Sequence, residues 1–178
     1  MFFGNILLYV IVIFLPQLLE SFGIQSTFKI GLYITTMAGF AGVTSFVYGK
    51  IRSRFDYRVI LITGTALWTG AFITISLAPD SRIFAIAVAM FGVSQGMIMP
   101  TIMVWIGDIV PAPFRGRFSS YLGTFGFIGQ FLSPILFAPV FILVGLKGVF
   151  MVGAGIGAAW FLILLFGFGK VIKSNKSQ

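Results

Sequence analysis

Six long stretches of the 178-residue chain contain few or no charged side chains, and this pattern constrains the fold more than any motif does. A helix of about 20 apolar residues is long enough to cross the roughly 30 Å hydrocarbon core of a bilayer. The sequence therefore predicts an all-α integral membrane protein in which residues 1–178 form one six-helix transmembrane bundle. The predicted spans are residues 2–19, 29–48, 58–78, 83–110, 118–139 and 148–169, and residues 170–178 form a cytoplasmic polar tail.

Composition supports this fold class and excludes several functions. Only 9% of residues are charged and 58% are hydrophobic, whereas about a quarter of the residues of a soluble domain are charged. The chain contains neither Cys nor His, so a thiol relay, a Ser–His dyad and a zinc site of Cys or His are all excluded. The four acids lie at or near predicted helix ends and in loops. We therefore expect no enzyme activity, no metal and no cofactor.

The distribution of basic residues predicts the orientation, because short cytoplasmic loops carry an excess of Lys and Arg. With both termini inside, nine basic residues fall on the inner side and three on the outer side. The inner residues are Lys50, Arg52, Arg54, Arg58, Arg115, Arg117, Lys170, Lys173 and Lys176, and the outer ones are Lys29, Arg82 and Lys147. This predicts a multi-pass protein of the plasma or inner membrane with cytoplasmic termini. Basic residues in cytoplasmic loops, which also attract anionic lipid, account for the net charge of +8. No nucleic-acid partner is therefore expected.

The same topology gives helices one to three and four to six opposite directions across the membrane. Two such triplets are typical of a transporter half that is built from inverted repeats. No clear sequence identity links the two triplets, so the repeat is predicted from topology alone.

A short basic loop, residues 48–58, joins the second and third predicted helices. Its residues alone are consistent with a positive-inside loop whose arginines cap helix carbonyls. The loop also resembles the degenerate second copy of the major facilitator superfamily signature, which is Gly, three residues, Asp-Arg, one residue, then Gly-Arg-Arg or Lys. Gly49, Arg54 and Arg58 match this pattern. Ser53, Asp56 and Tyr57 depart from it, because the family has Asp, Gly and Arg there.

A second segment, residues 107–117, is similar to the family's loop between helices ten and eleven. It has an acidic helix end at Asp108, then Pro111, and then Arg115 and Gly116. With residues 14–23 and 129–134 the resemblance covers nearly the whole chain, and it is to the C-terminal half, helices seven to twelve. It implies alternating access between two six-helix bundles. It further implies an inner gate, a conformational gate formed by Gly49, Arg54, Arg58, Asp108, Arg115 and Gly116.

Alternating access requires a central cavity, which the first, second, fourth and fifth helices would line. Polar residues and methionine, spaced three or four positions apart, mark the helix faces that could line this cavity. The candidate lining residues are Tyr33, Thr36, Thr44, Gln95, Met99 and Gln130. Each position is also consistent with helix packing, in which Thr, Ser and Gln side chains hydrogen-bond between helices.

The sequence leaves three functions open. The first is half of a drug or metabolite exporter of the major facilitator type, which carries a small amphipathic or hydrophobic solute. The second is a truncated fragment without independent activity, or a half that works only with a separate chain or as a homodimer. The third is a six-helix membrane enzyme or assembly factor, for which no catalytic group is evident.

Overall fold

The computed structural model describes the backbone of residues 1–175 and the side chains of residues 1–167. Within that part the chain forms five α-helices, a single 3-10 turn at Ala112–Phe114 and no β-strand. The helices are α1 (Phe2–Ser21), α2 (Thr27–Arg52), α3 (Tyr57–Leu77), α4 (Ser81–Ile109) and α5 (Arg115–Asn175). All five are long and apolar enough to cross a membrane. The fold class is thus the all-α membrane class that the sequence predicts.

The last two predicted spans both lie within α5, which consists of two helical segments joined at a single non-helical residue. Gly145 interrupts α5 with φ 70° and ψ −179°, a backbone conformation that only glycine adopts readily. On one side of it Phe141 lies against Phe14 of α1, and on the other Trp160 lies against Phe3. The chain therefore folds back at Gly145. We call residues 115–144 the N-terminal arm of α5 and residues 146–175 its C-terminal arm.

The predicted polar tail lies partly inside α5. The helical backbone continues through residues 170–175, and residues 176–178 lie outside the described residues. The sequence placed the end of the last helix at the first lysine of the tail. A helix can continue beyond the hydrocarbon core, however, because each residue still makes its backbone hydrogen bond.

Aromatic rings from three helices form the centre of the core. Phe72 of α3 lies between Phe91 of α4 and Phe150 of the C-terminal arm, with ring centroids 5.8 and 5.9 Å apart. Trp68 stacks on Phe91 at an interplanar angle of 14°. All four side chains are at most 3% exposed. Close packing of this kind drives the association of helices in a bilayer. The hydrophobic effect does not contribute there, because lipid tails are as apolar as the side chains.

Helix pairing repeats between the two halves of the chain. Helix α4 packs along α2, where Gly92 and Gly96 face the α2 backbone, and the N-terminal arm packs along α1 through Gly126 and Gly129. The first helix of each triplet thus packs against the second helix of the other. Two inverted three-helix repeats related by a pseudo-two-fold axis have this arrangement.

Each end of the bundle has its own contacts between helix ends. At one end, which we call the basic end, Tyr57 contacts Asp108 and Arg58 contacts the carbonyl of Leu165. At the opposite end the hydroxyl of Tyr33 donates to the carbonyl of Ser81. The basic end carries the two loops in which the sequence resembles family motifs.

Candidate functional site

An open groove of about 370 Å³ lies between α1, α2 and α4. Leu8 contributes from α1, Met37, Ala41 and Ser45 from α2, and Gln95 and Met99 from α4. These are three of the four helices that the sequence assigns to a cavity. Gln95 and Met99, two of the six candidate lining residues, lie in this groove together.

Gln95 carries a buried polar atom that the protein does not use. Its side chain is 8% exposed, and its Oε1 has no hydrogen-bond partner among the described residues. A buried acceptor without a partner costs about 1 to 3 kcal/mol, so such atoms are rare in folded proteins. Because Gln95 lines the groove, a change in its side-chain rotamer would bring this acceptor to a donor on a bound molecule.

Small residues bring α2 close to α4 beside Gln95. Thr44 is 7% exposed and packs against Gly96, and the Ser45 hydroxyl donates a 3.4 Å hydrogen bond to the Gly96 carbonyl. Thr44 therefore contributes to packing between the helices. Ser45, which the sequence did not single out, lines the groove.

Tyr33 and Thr36 line a separate pocket of about 350 Å³ towards the opposite end of α2, together with Lys29. The Tyr33 hydroxyl is 3.1 Å from the Ser81 carbonyl, so it links α2 to the start of α4. The Thr36 hydroxyl donates to the Leu32 carbonyl of its own helix at 2.8 Å. Both side chains thus have partners within the protein.

Gln130 makes a polar contact between α1 and the N-terminal arm. Its Nε2 donates a 3.0 Å hydrogen bond to Oδ1 of Asn5, which is 5% exposed, and the Ser133 hydroxyl donates to the Ile6 carbonyl at 2.9 Å. Gln130 thus contributes to the packing between α1 and the N-terminal arm, and it is not among the residues that line the groove with Gln95. Asn5 was missed in the sequence because it lies inside a continuous apolar run.

At the basic end, Tyr57 connects residues of three elements. Its hydroxyl donates to the carboxylate of Asp108 in α4, and the guanidinium of Arg52 lies 3.7 Å from the centroid of its ring. Trp105 of α4 stacks on the same ring at 6.1 Å. We call Arg52, Tyr57 and Asp108 the tyrosine bridge. It joins the end of α2 to the end of α4 through the first residue of α3.

The other predicted inner-gate residues lie outside this bridge. Arg58 donates to the Leu165 carbonyl of the C-terminal arm at 3.1 Å, and Arg115 donates to the Val110 carbonyl at the same distance. Arg54 is exposed, and so are the two glycines, Gly49 and Gly116. Asp108 is therefore the one predicted gate residue that belongs to the tyrosine bridge. Tyr57 stood in the sequence as a departure from the family pattern, which is why no role was assigned to it.

At the opposite end, Asp80 caps the start of α4. The backbone amide of Arg82 donates a 3.0 Å hydrogen bond to Oδ1 of Asp80, and this bond holds the pKa of the carboxyl below its ordinary value. The nearby Ser81 hydroxyl and the charge of Arg82 act in the same direction. Among the described residues no group of three or more Asp, Glu, His or Cys is placed to hold a metal ion.

The paired triplets, the membrane-length helices and the groove define a multi-pass α-helical membrane protein of transporter architecture. The sequence profile of the Major Facilitator Superfamily matches residues 1–177, and the chain belongs to that family. The resemblance that the two loops carry is thereby confirmed.

Individual relatives are named as transporters. The chain is 25% identical over 94% of its length to the MFS-type transporter TOXA of Cochliobolus carbonum. It is 30% identical over 80% of its length to the probable anion transporter 4, chloroplastic, of Arabidopsis thaliana, and 23% identical over 70% to the efflux pump apf11 of Gibberella fujikuroi. These alignments cover 30%, 25% and 22% of the relatives' own lengths, so the chain spans less than a third of each. Membership in this family implies a lipid bilayer as surroundings.

Proposed function

We propose that the chain forms one half of a secondary transporter that moves a small solute by alternating access. The observation that carries this proposal is the unpartnered Oε1 of Gln95 in the groove between α1, α2 and α4. A solute with a hydrogen-bond donor satisfies that atom. Adaptable apolar surface from Met37 and Met99 surrounds it and suits solutes of varied shape.

The charge of the groove favours uncharged or amphipathic solutes over anions. None of the residues that line it is Lys, Arg, Asp or Glu. A site for a phosphate or carboxylate would be expected to contain Arg or Lys, which recognise such groups through charge-assisted hydrogen bonds. This supports a function closer to that of the relatives named as efflux pumps than to that of those named as anion transporters.

The low burial and low mean hydropathy of α2 support the presence of a second six-helix unit opposite the groove. Of the five helices, α2 is the least buried within the chain and also has the lowest mean hydropathy. A helix in contact with lipid is usually the most apolar, because polar groups are costly in the hydrocarbon core. We infer that α2 faces a polar pathway closed by another half, supplied by a separate chain or by a second copy.

The tyrosine bridge is suited to act as the gate at the basic end. It links the ends of α2 and α4, which both line the groove, so its formation and loss would change the access to the groove from that side. Such contacts are worth little individually, yet a small bias shifts an equilibrium between conformers that differ by a few kcal/mol. In this proposal the basic end and both termini face the cytoplasm, and the protein lies in the cell membrane.

The proposal is tested with membrane vesicles that contain the chain. Movement of N-phenyl-1-naphthylamine, a neutral dye, is compared with that of 8-anilinonaphthalene-1-sulfonate, an anion of similar shape. We expect transport of the neutral dye only, and at least a tenfold loss in Gln95→Leu because the acceptor is gone. Gln17→Leu is the matched control, since Gln17 is exposed and donates to its own helix at Ile13.

Two results would contradict the proposal. Equal rates of dye transport in wild type and Gln95→Leu would show that the groove is not the solute site. Transport no faster than in vesicles without the chain would support the alternative, a fragment without independent activity. Co-production with a second six-helix half would then show whether activity belongs to the assembled pair.

A further inference from the structure

Two cavities near the basic end adjoin each other and differ in character. The first, which we call the basic pocket, has a volume of about 470 Å³ and is formed by the end of α2 and the loop that follows it. The second, which we call the apolar cleft, has a volume of about 270 Å³ and lies between the end of α2, the same loop, α3 and α4. Ile51 and Phe55 line both cavities, so the two meet at these side chains.

Two cationic side chains without a partner line the basic pocket. Lys50 and Arg54 are both exposed, and neither side chain makes an ion pair or a hydrogen bond with another described residue. Asp56 follows in the loop, but it does not line the pocket, and no lining residue is an acid. The Ser53 hydroxyl donates to the Lys50 carbonyl at 2.9 Å, so it is already used. The pocket therefore favours an anion, which Lys and Arg bind through charge-assisted hydrogen bonds.

The apolar cleft offers the surface that a hydrocarbon chain requires. Val59 and Thr63 of α3 are both exposed and lie one helical turn apart, so the cleft follows α3 away from the basic end. Thr63 is six residues after Tyr57, where α3 begins, which corresponds to about 9 Å along the helix. One side chain of the cleft is polar and none is charged, and the residues that line it are Ile51, Phe55, Val59, Ile60, Thr63 and Met97.

We propose that the basic pocket and the apolar cleft together bind one acidic phospholipid. Its phosphate lies at Lys50 and Arg54, and one acyl chain passes Phe55 and enters the cleft along α3. A soluble phosphate would leave the cleft empty, and a zwitterionic lipid would bring a further positive charge to a pocket that already has two. Basic residues at the end of a membrane-spanning helix attract anionic lipid, and the adjoining cleft makes this attraction a defined site.

The lipid site is separate from the groove of the proposed transport function. No residue that lines the groove around Gln95 lines either the basic pocket or the apolar cleft. Lys50 and Arg54 are also outside the tyrosine bridge. The inference therefore does not depend on transport, and its test requires no transport assay.

Native mass spectrometry of the detergent-solubilised full chain tests the proposal, because it counts the lipids that are bound to each molecule. Dioleoylphosphatidylglycerol, which is acidic, is compared with dioleoylphosphatidylcholine, which has the same acyl chains and a zwitterionic headgroup. We expect one phosphatidylglycerol per chain to bind about tenfold tighter than phosphatidylcholine, which is the usual effect of a hydrogen bond to a charged group. Glycerol 3-phosphate, a phosphate without acyl chains, should not displace it even in large excess.

One pair of variants tests the basic pocket. Arg54→Gln and Arg117→Gln each remove one exposed positive charge near the basic end, but only Arg54 lines the pocket. We expect Arg54→Gln to weaken the binding of phosphatidylglycerol about tenfold and Arg117→Gln to leave it nearly unchanged. Arg54→Lys keeps the charge and should retain most of the affinity.

A second pair of variants tests the apolar cleft. Val59→Trp fills the cleft, whereas Ile73→Trp adds the same ring to the same helix outside it. The two side chains are similarly exposed in wild type, at 45% and 39%. We expect only Val59→Trp to weaken the binding of phosphatidylglycerol.

Four results would overturn the proposal. The first is equal affinity for the two lipids. The second is an equal loss in Arg54→Gln and Arg117→Gln, because the charge would then act through the whole surface and not through a site. The third is an equal effect of Val59→Trp and Ile73→Trp, which would leave the cleft without an acyl chain. The fourth is displacement of the lipid by glycerol 3-phosphate, which would show that the site binds a soluble phosphate.

Discussion

The hydroxyl of Tyr57, the first residue of α3, donates a hydrogen bond to the carboxylate of Asp108, two residues beyond Ile106 in the last turn of α4. The two residues are 51 positions apart in sequence. The guanidinium of Arg52 lies over the ring of Tyr57, 3.7 Å from its centroid. One phenol thus connects the ends of three helices at the basic end.

Removing that hydroxyl should loosen the end of α4. Tyr57→Phe keeps the ring that contacts Arg52 and Trp105 and loses only the hydrogen bond to Asp108. The chain contains no cysteine, so a single cysteine placed at Val110, which is 7% exposed, is the only thiol. We expect Tyr57→Phe to raise its rate of reaction with a charged maleimide severalfold.

The control for this measurement is a cysteine at Ser53, which is exposed in wild type and should react at the same rate in both backgrounds. If the rate of maleimide reaction at position 110 is unchanged, the end of α4 keeps its place without the hydrogen bond from Tyr57.

Close approach of α2 and α4 should make Gly96 intolerant of a side chain. A Cβ there would meet the backbone oxygen of Ala41 and would lie 2.7 Å from the Cβ of Thr44. We expect Gly96→Ala to cost about 1 to 3 kcal/mol, as overpacking does, and to lower the thermal midpoint of the detergent-solubilised chain.

The comparison variant is Gly107→Ala on the same helix, where a Cβ would meet nothing within 4 Å. Alanine is up to about 1 kcal/mol better than glycine in a helix, so this variant should be neutral or stabilising. Equal midpoints for the two variants would disprove the close approach.

Reversal of α5 should depend on glycine at position 145. With φ at 70° and ψ at −179°, a side chain at this position would be strained by about 1 to 3 kcal/mol. We expect Gly145→Ala to lower the thermal midpoint, although a Cβ there would have free space around it.

Gly155→Ala, also in open space but in helical backbone, should leave the midpoint unchanged or raise it. Steric crowding is absent at both positions, so the difference between the two variants isolates backbone strain. If Gly145→Ala is as stable as Gly155→Ala, the reversal does not need glycine.

The cap at Asp80 should stabilise the protein in a pH-dependent way. Its pKa is lowered in the folded chain, chiefly by the Arg82 amide, so the carboxylate stabilises the fold above the ordinary Asp pKa of about 3.9. This stabilisation is lost as the pH falls through the lowered value. Asp80→Ala should therefore have a lower thermal midpoint than wild type at pH 7, and this difference should disappear as the pH falls through the lowered pKa of Asp80.

Asp56 provides the matched comparison, because it precedes α3 at the same position but makes no side-chain capping hydrogen bond. We expect Asp56→Ala to show a smaller difference from wild type at pH 7. Thermal midpoints measured between pH 2 and pH 7 test this prediction. A difference between Asp80→Ala and wild type that does not vary with pH would contradict the role of the carboxylate.

Local signals in the sequence were sufficient for most of the fold. Each of the first four apolar runs overlaps a helix, because a chain in lipid has to satisfy its backbone groups within the segment. The third and fourth predicted spans leave residues 79–82 between them, and α3 and α4 are separated there, at Pro79 and Asp80. The sequence also predicted a reversal between residues 139 and 148, on either side of Gly145. It did not predict that the helical backbone would continue on both sides up to this single residue, because one glycine among 22 gives no distinguishing signal.

The candidate site could be predicted only in part. Helical spacing found Gln95 and Met99, which share the groove, since residues four apart lie on one face. It could not distinguish a groove residue from one such as Gln130, whose partner Asn5 lies on another helix. Which polar side chain pairs with which is decided by the register between helices, and periodicity within one helix carries no information about that.

The contact between Asn5 and Gln130 has a consequence for how the protein is made. These residues are 125 positions apart, and ribosomes add about 5 to 20 residues each second. After α1 emerges, the arm that pairs with Asn5 is therefore synthesised about 6 to 25 s later. During that interval α1 has to be held by lipid or by the insertion machinery while Oδ1 of Asn5 lacks its donor. The first helix is therefore one of the last to reach its final neighbours.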